Sequence, residues 1–482
     1  MSRRRRSPLL GLLILLFIVG CGDPSTSNGS GSSSGDGDSQ RPVDNTPPVD
    51  TLEECGGFEE GDDLNVCTAT YLGGSGENEA VAVAIDEEGR ILVAGNWQTP
   101  PEPQHEDSLE AEGPGALAVL SPTGSEVLDL LTFSSTLRDI SLNPTTNELA
   151  VALSESLQVW DLSQREMVWE VSRAGIETVA FDQDLLAVQS GTNIAVFDAS
   201  GELLSEIDVD RTRVNDIAVH GELEQVYITG FHQVSGNLQQ PFLFAYAPTG
   251  ERVWTNWNWS AEEAGELSSD TRGQAVGVGR DGKLYYAGES HGGVTTHFRD
   301  PTDIDEEAPL VRRDAYSQSH NWNGAAPLGF VARLDPATGA FEGGQLLAVR
   351  LSDGRGNGVG PRLITANEEG VIFVGGGSAC CIERWEEKTV AGHRAMPGYG
   401  GGQWVMALPP DFNERPLWTT FTGGVPGAEL RSIDALGPAM ALVHTHEADD
   451  DEVEGNMITT RALTPEAPGG VANIHLVVFP SP

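Results

Sequence analysis

The sequence predicts an all-β chain, a β-propeller of seven four-stranded blades with a six- or eight-bladed ring as the alternative, on three observations. A two-strand cassette recurs as AVAIDEEGRILVAG at 82–95, AVGVGRDGKLYYAG at 275–288 and LITANEEGVIFVGG at 363–376. Each first hairpin is followed, after a variable stretch, by a second hairpin with its own turn signal. An unmatched strand is left at each end of the repeat array, so the two can complete one blade. Self-similarity of this kind fixes architecture before any single residue is weighed.

In the cassettes an apolar run meets a turn ending in Gly89, Gly282 or Gly370, and a second run ends at Gly95, Gly288 or Gly376. Glycine at the turn suits φ > 0, and alternation on either side suits half-buried strands. Further first hairpins lie at 138–153, 178–190, 214–230 and 431–446, with Asn147 standing where glycine stands elsewhere. Second hairpins lie at 116–128, 157–171, 194–207, 242–256, 330–348 and 404–421. Pro-Thr-Gly, Ala-Ser-Gly and Pro-Ala-Thr-Gly are turns with a mechanism, and two hairpins in succession make a four-stranded blade. The seventh first hairpin is followed by one strand only, at 473–480. TYLGGSG at 70–76 matches TFTGGVPG at 420–427, the end of an outer strand, so residues 67–72 are expected to pair with 473–480 and close the ring.

The pattern resembles the bacterial seven-bladed β-propeller repeat family. The resemblance is carried by YLGGSGENEAVAVAIDEEGRILVAG (71–95), GQAVGVGRDGKLYYAGES (273–290) and GFVARLDPATG (329–339). VWDL at 159–162 leans towards WD-repeat propellers. The resemblance implies fold alone, since such proteins share no single activity.

Arg3 to Arg6, an apolar run from Leu9 to Val19 and then Ile18-Val19-Gly20-Cys21 are similar to a bacterial lipoprotein signal with its lipobox. The run is too short to span a bilayer as a mature helix. The resemblance implies lipidation of Cys21 as the mature N-terminus. Gly22 in place of aspartate implies the outer membrane, on its periplasmic or its surface side. Residues 22–54 are Gly, Ser, Asp, Pro and Thr with almost nothing to bury, a flexible tether spanning roughly 30 Å. The expected organisation is therefore signal 1–21, tether 22–54 and propeller 55–482.

A net charge of −44 with two lysines, Lys283 and Lys388, excludes nucleic acid and leaves the lipid anchor as the sole membrane contact. An exported chain keeps disulfides, and Cys55 with Cys67 is the natural pair. Cys380 and Cys381 are adjacent. A vicinal bridge, free thiols, or a metal site with His393 all remain open for them.

The variable stretches fall between second and third strands, at 97–115, 232–240, 291–328, 378–402 and 447–472. In a propeller these connections emerge at one face, and loops on a rigid scaffold concentrate binding residues. The ligand-face candidates are His291, His297, His320, Trp322, Trp385 and His393, with His444 and His446 just before the last insertion. Histidine ligates metals and clustered carboxylates such as DPTDIDEE (300–307) suit calcium, yet neither zinc spacing nor an EF-hand loop is present. Calcium is the cofactor such runs would suit; no other is called for. No nucleophile elbow, zinc helix or Walker loop occurs. The expected function is a monomeric, non-enzymatic module binding an envelope protein or glycan. The alternative is a secreted carbohydrate-active hydrolase or lyase using histidines and carboxylates of the same face.

Overall fold

Apolar alternation and glycine turns become antiparallel hairpins in the computed structural model, which describes residues 49–56, 58, 63–103, 113–314, 327–351, 356–395, 401–422, 427–447 and 457–482. The predicted signal with Cys21, most of the predicted tether, His320 and Trp322 lie outside the described residues. The turns carry the left-handed backbone expected of them, with φ 77° at Gly89 and 58° at Asn147.

The described chain is an all-β propeller. The first blade comprises Asn78–Ile85, Ile91–Trp97, Gly115–Leu120 and Val127–Phe133, paired in that order. Blades two, three and four repeat the meander from Leu137–Leu142, Thr178–Asp182 and Arg213–His220 outward. The fifth and sixth start at Thr271–Val278 and Val359–Ala366. In the last blade Ala428–Leu436, Ala439–Glu447 and Ala472–Pro480 are joined by Thr68–Leu72, whose Thr68 lies opposite Val478 and Leu72 opposite Ile474. The unmatched strands from the two ends of the array therefore do pair.

Two details differ from expectation. Among the described residues eight sheets have three strands or more, not seven. The additional one joins Asp63–Leu64, ahead of the repeats, to Thr389–Val390 and His393–Arg394 from an insertion. Strands of two residues are too short to leave a period in the sequence, which is why they were not anticipated. Nor does any sheet close on itself through hydrogen bonds; every blade keeps its own ladder and meets its neighbours by side-chain packing.

That packing fills each gap between adjacent blades. Leu92, Leu117, Leu131, Leu149 and Val151 join the first to the second, and Val188, Ala195, Leu157 and Val159 join the second to the third. Val93, Ile474 and Leu476 join the last to the first. The innermost strands lie side by side in chain order, and the last lies against the first.

Inner-strand aspartates add directed links. Asp139 accepts from Val179 N at 3.0 Å, Asp216 from Val276 N at 2.9 Å, and Asp434 from Ile85 N at 2.8 Å. Each reaches from one inner strand to the next. Burial pushes Asp139 and Asp216 up to about 7 despite those backbone donors. Arg280, in the turn of the fifth blade, reaches across to Ala435 O (3.0 Å), Ile85 O (2.8 Å) and Asp434 Oδ2 (3.2 Å). It ties three blades together at the turn end of the channel, opposite the insertions.

Candidate functional site

Five of the described inner strands carry an arginine within their first four residues: Arg138, Arg213, Arg272, Arg362 and Arg431. Each stands at, or two residues before, the register shift in its inner strand. A bulge turns the strand locally and re-aims the side chains around it. By topology all five stand at the end of the channel from which the insertions emerge.

Between the fourth and sixth blades these arginines meet one carboxylate. Glu289 is the cross-strand partner of Arg272 and is 2% exposed. Arg272 Nη1 lies 3.3 Å from Glu289 Oε1, and Arg362 Nη1 reaches from the next blade to 3.0 Å from Oε2. His291 Nε2 stands 3.2 Å from Oε1. Glycine makes the approach feasible: a Cβ on Gly360 would come within 2.8 Å of Glu289 Oε2. Burial pushes this carboxyl up, but the hydrogen bond of His291 and the charges of Arg362, His291 and Arg272 outweigh it and hold it at about 2. Glu289 is therefore a permanent anion that orients cations.

The fourth blade contributes from the other side. Its long hairpin, Gln225–Ser235 and Leu238–Tyr246, extends past the neighbouring strands and includes the predicted insertion 232–240. Arg272 Nε donates to Gln239 Oε1, and Gln239 Nε2 donates to Gln233 Oε1 at 3.0 Å. The Arg272 guanidinium lies 5.4 Å from the centroid of the half-buried Phe231 ring. An aromatic ring, two amides, two arginines and a histidine thus converge on one patch, a set suited to hydrogen-bonding and stacking against a polar ligand.

The predicted site residues divide sharply. His291 belongs to this patch. His297 is fully buried, stacked on Phe330 at 4.3 Å and 8°, with Nε2 3.0 Å from the Tyr286 hydroxyl. It fills the space above Gly288, where a Cβ would meet its ring at 2.6 Å. Burial drives it down to about 3. His444 and His446 are also core, each 1% exposed, and His475 joins them. His444 lies directly opposite His475, and Tyr71 Oη is 3.3 Å from His446 Nδ1. Burial lowers all three imidazoles, His475 to about 3. Trp385 packs, half-buried, on the apolar cluster of the last three blades. His393 pairs with Val390 in the three-stranded sheet. Cys55 is bonded to Cys67, and Cys380 to Cys381. Among the described residues no three histidines, cysteines or carboxylates are grouped to hold a metal.

The insertions also run where loop length alone does not indicate. Arg312–Arg313 adds in parallel to Phe341–Leu347, the outermost strand of its blade. Arg312 Nη2 then meets Glu383 of the next insertion at 3.0 Å, so the two large loops touch at the outer rim. In the last blade Thr460 bridges Ala69 on the outer strand. The described parts of these insertions cover sheet edges that would otherwise be open.

Glu289, Arg272, Arg362, Phe231, Gln233 and Gln239 are the site residues that sequence reasoning missed. In a chain with 72 acidic residues one glutamate is invisible. The recurrent arginine near the start of the inner strand was legible and would have led to it.

No family model matches the chain, and no curated protein does. Among solved structures it is similar to a chain of Kuenenia stuttgartiensis hydrazine synthase, at 9% identity over 64% of this chain and 76% of that one, with a TM-score of 0.39. So low a TM-score carries no argument about function.

Proposed function

We propose that the chain is a lipid-anchored envelope lipoprotein whose propeller binds an envelope protein or a glycan, without catalysis, through its insertion-bearing face. In this reading Cys21 carries the lipid, residues 22–54 are the tether, and seven blades form the ring, closed by Thr68–Leu72, with the fifth widened to five strands by Arg312–Arg313. The resemblance to the bacterial seven-bladed repeat family belongs to the same reading. The observation that carries it is the patch of Phe231, Gln233, Gln239, Arg272, His291 and Arg362 on the face where the insertions emerge.

The test is capture of partners from isolated envelopes by the full-length chain and by Phe231→Ala/Gln233→Ala. Loss of specifically retained protein or glycan in the variant, with unfolding unchanged, supports the reading. An identical set of partners refutes it. Trimming the large insertions is a poor test, because it would uncover the outer strands.

One observation favours a second reading, a polysaccharide hydrolase or lyase: His291 paired with an ionised carboxylate at 3.2 Å. Glu289 at about 2 cannot donate a proton near neutrality. His291 would have to act alone as base, with Glu289 as its orienting partner. Release of reducing or unsaturated ends from polysaccharide, abolished by His291→Ala, would establish it over the binding reading.

A further inference from the structure

Arginine is concentrated where this acidic chain has least reason to put it. With 72 acidic residues against 28 basic ones, the protein supplies Arg213, Arg272 and Arg362 from three adjacent inner strands at one end of the channel. A single buried carboxylate, Glu289, answers two of them. Arg213 has no ion pair among the described residues and is exposed at the start of its strand. The side chain of Arg362 is 44% exposed although one of its nitrogens is committed to Glu289. Asp270, whose Oδ1 accepts from Gln239 N at 2.8 Å, is the second carboxylate at the patch, so three arginines stand against two acids inside a strongly negative molecule.

We propose that this channel mouth binds an oxyanion, the carboxylate or phosphate of a small ligand, with Arg362 and Arg213 as its donors and Glu289 as the internal counterion that holds Arg362 and Arg272; Arg213 joins the patch as the cross-strand partner of Phe231, over whose ring Arg272 lies. The inference rests on the binding function proposed above and names the chemistry of its ligand. Guanidinium forks match oxyanions in two-point geometry. The Phe231 ring and the amides of Gln233 and Gln239 would receive the uncharged remainder of the ligand, as they suit a sugar ring. A polyanion is excluded by the surrounding negative field, whereas one anionic group meets only the local charge. Glu429 pairs with Arg431 at 3.0 Å, which leaves the last blade's arginine compensated, and Arg138 stands apart on the second blade, so the adjacent arginines gather on the fourth to sixth blades.

The experiment is calorimetric titration of the full-length chain at low ionic strength with galacturonate, inorganic phosphate and uncharged galactose. Galacturonate or phosphate should bind, more weakly as salt is raised, and galactose at least tenfold more weakly than galacturonate. Binding of galacturonate alone identifies a carboxylate ligand, and binding of phosphate alone identifies a phosphorylated one. Arg362→Gln should weaken the anion roughly ten- to a hundredfold, and Arg213→Gln should weaken it in the same direction. Glu289→Gln separates recognition from scaffolding: removing the internal counterion should raise anion affinity several-fold, whereas a purely structural role predicts loss. Should Glu289→Gln fail to fold, the two arginine variants and the salt dependence decide. Equal binding of galactose and galacturonate, or anion binding indifferent to both arginine variants, overturns the proposal. In the first case the sugar-binding face stands and its charge recognition falls. Captured envelope partners with no anion binding would likewise sink this inference and leave the proposed function intact.

Discussion

Burial of neutral imidazoles in the last blade makes a specific demand on pH. His475 is 0% exposed, sits edge-on to Tyr71 at 5.2 Å, and has Nε2 2.9 Å from Ile458 O. Its Nδ1 has no partner, so a second proton would be buried unsatisfied. Folded, the group titrates at about 3; unfolded, at about 6.5. Because the folded value is depressed, the unfolded chain takes the proton first. The stability contributed by His475 is complete above the unfolded value and is lost as pH falls below it. From pH 7 to pH 5 the loss is about 1.5 units at 1.36 kcal/mol each, roughly 2 kcal/mol. Asp139 and Asp216 act oppositely: raised to about 7, they cost stability at alkaline pH and regain it as pH falls through 7 towards the unfolded carboxylate value. His297, His444 and His446, also lowered by burial, act in the same direction as His475, so the wild-type profile sums all of these groups and does not report His475 alone. The readout is the difference between wild type and His475→Gln, in which the two aspartates cancel. Gln retains an N–H for Ile458 O and does not titrate. Urea unfolding at pH 5, 6, 7 and 8 should give a wild-type advantage that shrinks by about 2 kcal/mol between pH 7 and pH 5. A difference that stays flat across that range would refute the assignment of a buried neutral imidazole.

Arg280→Gln should cost about 2–4 kcal/mol in the same unfolding assay, because it removes three hydrogen bonds across the channel and strips Asp434 of its cation; a change under 0.5 kcal/mol would contradict the channel-spanning role. Deleting residues through Leu72 should lower the thermal midpoint far more than deleting 22–48, since Thr68–Leu72 is buried at every position and covers the edge of Ala472–Pro480. Equal midpoints would mean that the borrowed strand is dispensable. Cys21→Ser should release the protein from the membrane fraction or leave its precursor uncleaved. Unchanged maturation and fractionation would remove the lipoprotein reading.

Strand order was legible because it is local. Gly89 and Asn147 announce their turns through backbone geometry that any neighbour would impose, and alternating apolar residues announce which faces are buried. The pairing of 67–72 with 473–480 was legible too, because a meander with one strand missing permits few partners for a lone strand. The bridge between Cys55 and Cys67 was expected of an exported chain, in which disulfides persist. The chemistry of individual side chains was not legible, because it depends on groups brought from far along the chain. His291, His297 and His444 look alike in sequence; one lies beside Glu289 and Arg362, one under Phe330, and one against His475. Glu289 reads as one acid among many until Arg362, 73 residues on, reaches it from the next blade. The three-stranded sheet, the fifth strand at Arg312–Arg313 and the covering of outer edges by the insertions were likewise settled by tertiary packing. Periodicity specifies which residues turn inward; only the closed packing of blades specifies which residue each of them meets.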